Sequence, residues 1–254
     1  MSKELEDFVD YMRNGEEPYI SPKSVSVIIP FFNNWHLTHQ RMSELYSEIS
    51  TPLEIILVDD CSTDESIPGK MGWWRTQSKH RVKCIKTPKN LGFGGAMNHG
   101  ARRGVATEEV LVFLSNDVKI AGDFVPLILQ KLRDNENILI GDTFRNYDTG
   151  WNVMNINGKP KMFPYLEGYF LSCTKEMWIE LGGFDPIFAP YDVEDIDLST
   201  TALHKGYGLV PLNFRRLQHA SGQTIRRINP DREAITKRNL KRFVKKWSEI
   251  LKDE

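Results

Sequence analysis

The stretch that decides the fold is Glu54–Asp64, EIILVDDCSTD. Ile55, Ile56, Leu57 and Val58 stand together without a polar break. The chain then delivers Asp59 and Asp60 and turns through Cys61, Ser62 and Thr63. A run that is apolar on both faces belongs inside a sheet covered on both sides. We therefore predict a buried strand over Leu53–Val58, with two carboxylates at its carboxyl end.

Outward from this stretch, the same pattern recurs. Val25–Ile29, closed by Pro30, is an apolar, β-branched run; Val82–Lys86 and Val110–Leu114 read as two more strands. Trp35–Ile49, part of Ser66–Lys79, Gly94–Gly104 and Gly122–Asp134 read as helices between and after them. Strand and helix in alternation predict an α/β fold with a Rossmann-like, mostly parallel sheet flanked by helices. Ligands bind such sheets outside the carboxyl ends of the strands. The informative residues are then Pro30–Asn33, Asp59–Asp64, Thr87–Gly95 and Ser115–Asp117.

After Ile140 the rhythm changes. Asn157-Gly158 and Lys159-Pro160 mark turns, which predicts a hairpin within Trp151–Tyr165. Thr174–Leu181 and Glu194–Lys205 read as helices. From Glu233 on, Leu240, Val244, Trp247 and Leu251 fall at i, i+4, i+7 and i+11 and predict a terminal helix with one apolar stripe and a basic opposite face. Leu5, Phe8, Val9 and Met12 predict a short leading helix. The expected organisation is an N-terminal helix and linker over 1–23, a main domain over 24–222 divided near 120, and a basic helical segment over 223–254.

The 254 residues carry a net charge of −1 with 40% hydrophobic content, so no whole-chain field draws the protein to nucleic acid or membrane. The charge is uneven: residues 225–254 hold 10 Lys and Arg against 5 Asp and Glu. Lys237, Arg238, Lys241, Arg242, Lys245 and Lys246 suit a solvated helix face, peripheral contact with a membrane, or a polyanionic partner such as nucleic acid. Three scattered cysteines without a CxxC form neither a disulfide framework nor a zinc site. The opening MSKELEDFVDYM lacks the apolar core of a signal peptide, and no run reaches the ~20 residues that span a bilayer. The expectation is a cytoplasmic protein, with the inner face of a membrane left open as a place of work.

Five further clusters carry chemistry. Asp59 and Asp60 suit hydrogen bonds to a base or ribose, and equally a helix-capping turn. Asn90–Gly100, NLGFGGAMNHG, lets backbone approach a phosphate or sugar, or is a plain tight turn. It is not a dinucleotide fingerprint, since Met97 stands where the third small residue belongs, and no Walker Lys follows. Ser115-Asn116-Asp117 offers one carboxylate to a hard divalent cation, or ends the strand in a turn. Glu194, Asp195 and Asp197 crowd charge at a helix start, where the positive helix end favours them; one could also take a proton from a hydroxyl. His219 with Asp117 would make a mixed ligand set for a metal such as Mn²⁺.

Taken in order, Ser24–Gly222 resembles family 2 of the inverting glycosyltransferases, which have the GT-A fold. VSVIIPFFNN looks like the first strand of that family, EIILVDDCSTD its nucleotide-binding strand end, KNLGFGGAMNHG its third loop and helix, and VLVFLSNDV the strand carrying its metal motif. GGFDPIFAPYDVEDIDLSTTALHKGYGLV resembles the acceptor-side segment, and LQHASGQT the late histidine motif. The resemblance implies a metal-dependent transfer of a sugar from a nucleotide-diphosphate donor, UDP- or dTDP-linked and rhamnosyltransferase-like, to an acceptor hydroxyl. Pro30, Phe32, Asp59, Asp60, Asn90, Gly92, Asn98 and Asn116 would then bind the donor. Asp117 and His219 would hold Mn²⁺ or Mg²⁺. Asp195 would be the general base with Glu194 beside it, and Glu167 and Gly168 would face the sugar or acceptor. The metal motif departs from the family in carrying Ser115 where an acid is usual. The acceptor could be a glycan, a lipid-linked sugar, a protein or a nucleic acid. The rivals are a sugar-nucleotide nucleotidyltransferase, disfavoured by Pro30-Phe31-Phe32-Asn33 after the first strand, a NAD-linked dehydrogenase, and a non-catalytic nucleotide- or sugar-binding module.

Overall fold

A computed structural model describes residues 24–102, 104–145, 153–219 and 231–252. The expected leading helix over Leu5–Met12 lies outside them. The central sheet takes β1 (Val25–Phe31), β2 (Glu54–Asp59), β3 (Arg81–Lys86) and β4 (Val110–Leu114) from the first half of the chain. From the second half it takes β6 (Ile138–Gly141), β11 (Phe170–Thr174) and β12 (Gly208–Pro211). The order is β12-β6-β11-β4-β1-β2-β3. Every neighbour pair is parallel except those of β11, which runs against both β4 and β6. β1, β2, β4 and β11 are buried along their whole lengths, mostly apolar runs in which Ser26, Glu54, Asp59, Ser172 and Thr174 are the polar side chains. The fold class is thus the mixed α/β, mostly parallel arrangement predicted above.

Alternate residues of the strands feed two cores. On one face Val25, Val27, Ile29, Ile55 and Leu57 pack against α1 (Trp35–Glu48), α2 (Ile67–Gln77) and α4 (Val125–Asp134) through Met42, Leu45, Trp74 and Ile128. On the other face Ile28, Ile56, Val58 and Phe113 meet α3 (Gly92–Ala101), α5 (Lys175–Leu181) and α6 (Glu194–His204) through Met97, Trp178 and Leu198. Gly100 lets α3 lie directly on the sheet, since a Cβ there would press into Ile28 and Val58.

One charge is built into this interior. The Glu54 carboxylate is buried beside Ser26, Thr107 N–H and Oγ1, Lys83 Nζ at 2.6 Å and Arg81 at 3.1 Å. Burial alone would raise its pKa, but Lys83, Ser26 and Thr107 outweigh that and hold it at about 2.

The hairpin forms as predicted, with β8 (Val153–Ile156) and β9 (Lys159–Met162) joined by Asn157 and Gly158, both at positive φ. The terminal helix, α7, runs Arg232–Ile250. Its buried side is Thr236, Asn239, Phe243 and Trp247; Leu240 and Val244 are only partly buried. The basic face expected opposite the apolar stripe is not all solvated. Arg238 donates to Ala189 O at 2.6 Å, Arg242 to Ile187 O, and Lys246 to Asp185 and Asp197 at 2.8 Å each. Four of the seven basic residues of α7, Arg232 among them, therefore face the 185–197 segment, whose acids and carbonyls accept from them. No helix among the described residues is long and apolar enough to cross a membrane.

Candidate active site

Two adjoining cavities open where the parallel strands end. One, of about 430 Å³, is lined by Pro30, Phe32, Asp60, Asn90, Gly92 and Asn116 among others. The second, of about 540 Å³, is lined by Glu167, Gly168, Glu194, Asp195, His219 and Arg232 among others. Phe93, Ser115, Asp117 and Tyr191 belong to both walls.

The first cavity is shaped by Asp60. Its buried carboxylate accepts from Leu91 N at 2.8 Å, Gly92 N at 2.9 Å and Thr87 Oγ1 at 2.9 Å. The carboxylate at the β2 end thus fastens the glycine-rich loop; burial nevertheless holds its pKa above the ordinary value. Gly92 has φ +75°, and a Cβ there would collide with the Pro190 backbone, so only glycine fits. Phe93 N donates to Pro190 O at 2.8 Å, tying this loop to the segment that leads into α6. Asn116 donates to Thr38 Oγ1 at 3.1 Å from a buried position.

Two residues expected at the donor lie elsewhere. Asp59 is fully buried beneath the turn, accepting from Ser62 N at 2.8 Å with Lys86 Nζ 3.5 Å away. Asn98 makes a paired contact with the Phe184 backbone, 2.7 Å to its O and 2.9 Å from its N. The structure brings neither to the cavity wall, because each is occupied by holding a neighbouring turn.

Asp117 stands at the junction of the two cavities. β4 ends at Leu114, and β5 (Val118–Ile120) pairs antiparallel with β13 (Leu217–His219) so that His219 lies across from Val118. This register places His219 Nε2 3.5 Å from Asp117 Oδ1. Ser115 Oγ donates to the same oxygen at 2.6 Å. Burial pushes the Asp117 carboxyl up, but His219 and Ser115 outweigh it and leave the pKa below its ordinary value. The His219 ring stacks on Tyr169 at 4.2 Å, and Tyr169 Oη donates to Asp142 at 2.7 Å.

The pair fits one edge of a divalent-cation site. A carboxylate and an imidazole face a shared cavity, and among the described residues no group of three or more His, Cys, Asp or Glu is arranged to hold a metal ion. The remaining ligands would be oxygens from outside the chain.

On the far wall, α6 starts with Glu194 and Asp195. Asp195 accepts from Gly168 N at 3.0 Å and Ile196 N at 2.9 Å. Burial, opposed by those two N–H groups, pushes its pKa up to about 6; Glu167 and Asp192 add to the rise. Glu194 is raised well above its ordinary value by burial and by the Asp195 charge, and its Oε2 has no hydrogen-bond partner among the described residues. Of the two, Asp195 is therefore the one that ionises first. Glu167 is paired with Arg145 at 2.7 Å. Arg145, Tyr165, Tyr191, Asp192 and Arg232 also line this cavity and were not singled out as site residues from sequence. Tyr191 and Asp192 lie within a motif already quoted; Arg232, 40 positions beyond Asp192, carries no local signal.

The match to the glycosyl transferase family 2 model covers residues 26–197. The chain is 25% identical over 261 residues to N-acetylgalactosaminyltransferase 6 of Drosophila melanogaster, covering 91% of this chain and 39% of that one. It is 28% identical over 142 residues to an uncharacterized glycosyltransferase of Haemophilus influenzae, covering 56% and 55%. The chain thus spans less than two thirds of the length of these curated relatives. Among solved structures, GalNAc-T7 with UDP, GalNAc and Mn²⁺ superposes with a TM-score of 0.62 at 18% identity, over 76% of this chain and 43% of that one. The mannosyltransferase PcManGT of Pyrobaculum calidifontis, with GDP-Man and Mn²⁺, gives 0.58 at 21% identity, over 82% and 61%. The sheet order and these superpositions agree on a GT-A architecture, and the chain belongs to glycosyltransferase family 2.

Proposed function

We propose that this chain transfers a sugar from a nucleoside-diphosphate donor to an acceptor hydroxyl with inversion, assisted by a divalent metal at Asp117 and His219, with Asp195 as the base. One observation carries the reading: Asp117 and Asp195 stand on walls of the same cavity, and Asp117 is also on the wall of the second. A donor whose nucleoside occupies the smaller cavity passes Asp117 at its diphosphate and presents its anomeric carbon toward Asp195.

Each residue then has a task. Pro30, Phe32, Asn90 and Asn116 flank the nucleoside, and Asp60 keeps the loop at Gly92 closed around it. Asp59 and Asn98 support these turns from behind. Asp117 and His219 would hold Mn²⁺ or Mg²⁺, which would supply positive charge for the leaving diphosphate. Glu167 and Gly168 bound the sugar or acceptor. Asp195, at about 6, is ionised at neutral pH yet basic enough to take the acceptor proton as attack develops. Burial and the Asp195 charge hold the Glu194 carboxyl well above its ordinary value, which lessens the repulsion between the two neighbours. UDP-sugars are the favoured donors, since N-acetylgalactosaminyltransferases are among the relatives and one neighbour holds UDP and GalNAc. A compartment that keeps Cys61, Cys84 and Cys173 reduced suits the three free thiols.

The test is release of nucleoside diphosphate from a panel of UDP-N-acetylhexosamines, UDP-hexoses, GDP-mannose and dTDP-rhamnose, with and without Mn²⁺. Metal-dependent turnover of a UDP-sugar is expected. Saturable UDP binding without turnover of any donor would favour the non-catalytic binding module.

A further inference from the structure

The segment that feeds the Asp195 wall is held in an unfavourable backbone. Asp192 has φ +70° and Val193 φ +81°. A left-handed conformation is uncommon for any side chain and an outlier for a β-branched one. Such a conformation persists only where surrounding contacts over-determine it. Here those contacts come from α7, about 40 residues later in the chain.

Three α7 side chains converge on this turn. Asn239, fully buried, directs its amide at Phe188 O (2.6 Å), Tyr191 O (2.9 Å) and Asp192 O (3.0 Å). Thr236 Oγ1 donates to Asp192 Oδ2 at 2.7 Å. Arg232 grips the same carboxylate with two bonds, Nε at 3.1 Å and Nη2 at 2.9 Å. The residues fall near i, i+4 and i+7, on one stripe of the helix. Val193 O in turn accepts from Asp197 N in the first turn of α6. The conformation at Asp192–Val193 therefore sets where α6 begins, and with it where Asp195 points.

We propose that α7 is a strap: Arg232, Thr236 and Asn239 are positioning residues that lock the Asp192–Val193 turn and so fix the Asp195 carboxylate on the acceptor wall. This rests on Asp195 being the base. Arg232 has a second effect through charge. The groups facing Asp195 are Glu167, Asp192, Glu194 and Tyr165, with Arg232 paired to Asp192 and Arg145 to Glu167. Without Arg232, the Asp192 charge acts on Asp195 uncompensated.

The experiment compares Thr236→Val, Arg232→Gln, Arg232→Lys and Asp195→Asn in the full chain, with Lys237→Ala, an exposed position on the same helix, as control. Amide hydrogen exchange over residues 189–196 needs no substrate. Thr236→Val and Arg232→Gln should speed it at least about 10-fold against the parent, and Lys237→Ala should not. On the best donor of the panel, nucleotide release per UDP-binding site should fall about 10- to 100-fold in both, with donor KM nearly unchanged. The acid limb of the rate profile should move to higher pH in Arg232→Gln and return in Arg232→Lys. Parent-like exchange in both variants overturns the strap. So does a superimposable pH profile with parent-like turnover per binding site, while Asp195→Asn is inactive. An active Asp195→Asn would instead overturn the base assignment.

Discussion

Replacing Asp195 by Asn should make the protein more stable at pH 8 and less stable at pH 4. The Asp195 carboxyl is held at about 6 against an ordinary 3.8, chiefly by burial. Its folded pKa is raised, so the folded state binds more protons than the unfolded one as pH climbs between those values. Stability from this group is complete below about 4 and is lost as pH rises through 6. At about 1.4 kcal/mol per tenfold step, ionised Asp195 costs the folded protein up to about 3 kcal/mol. Asn removes that cost. It can also accept at only one oxygen, so one of the N–H groups of Gly168 and Ile196 loses its partner, at about 1 kcal/mol. The balance is a gain of about 1–2 kcal/mol at pH 8 and a loss of about 1 kcal/mol at pH 4. Relief of Glu194 from the Asp195 charge acts in the same direction. At roughly 2–4 °C per kcal/mol for a chain of this size, the Tm difference between variant and parent should change sign between the two pH values. Thermal unfolding by circular dichroism measures it. A variant-minus-parent difference identical at pH 4 and pH 8 would refute the claim that burial holds this carboxyl up.

Four further outcomes follow from the same geometry. Asp117→Ala should abolish the Mn²⁺-dependent part of UDP binding measured by calorimetry, since His219 alone cannot hold the cation. The acid limb of kcat/KM should lie near pH 6, where Asp195 takes up a proton, as read from a donor-turnover profile. Gly92→Ala should cost 2 kcal/mol or more, roughly the upper part of the range for a strained backbone, plus a collision with Pro190, and should weaken UDP binding in a denaturant and calorimetry pair. Glu54→Gln should destabilise the fold by about 3 kcal/mol at pH 7. Because its folded pKa is depressed to about 2, that contribution is lost as pH falls from 4.5 through 2, and urea midpoints of variant and parent should converge there.

The half of the fold built from consecutive strand–helix units was legible because its buried strands are mostly apolar, broken by polar side chains only at Ser26 and Glu54. Val25–Ile29, Leu53–Val58 and Val110–Leu114 needed no context. The other half was not. β11, Phe170–Thr174, carries Ser172 and Cys173 and abuts a helix, and only its place between β4 and β6 makes it the antiparallel centre of the sheet. β6 and β12 are four residues each, too short for a periodicity to show. In the site, Asp117, Glu194 and Asp195 were readable as acids at element ends, and the β5–β13 register delivers His219 to Asp117. Asp59 and Asp60 could not be told apart by sequence, since only the direction in which each leaves the strand end sends one under Ser62 and the other to the glycine loop. The basic face of α7 read as solvated because its acceptors, the carbonyls of Ile187 and Ala189 and the acids Asp185 and Asp197, are about 50 residues away in the chain.

The division of labour between Asp117 and Asp195 is tested most directly by measuring UDP binding and donor turnover together, with Mn²⁺, in the parent and in the two variants Asp195→Asn and Asp117→Ala. Asp195→Asn should bind UDP as the parent does while turnover falls about 10²- to 10⁴-fold, and Asp117→Ala should lose metal-dependent binding and turnover alike. Near-parent turnover in Asp195→Asn, or unaltered Mn²⁺-dependent binding in Asp117→Ala, would contradict it.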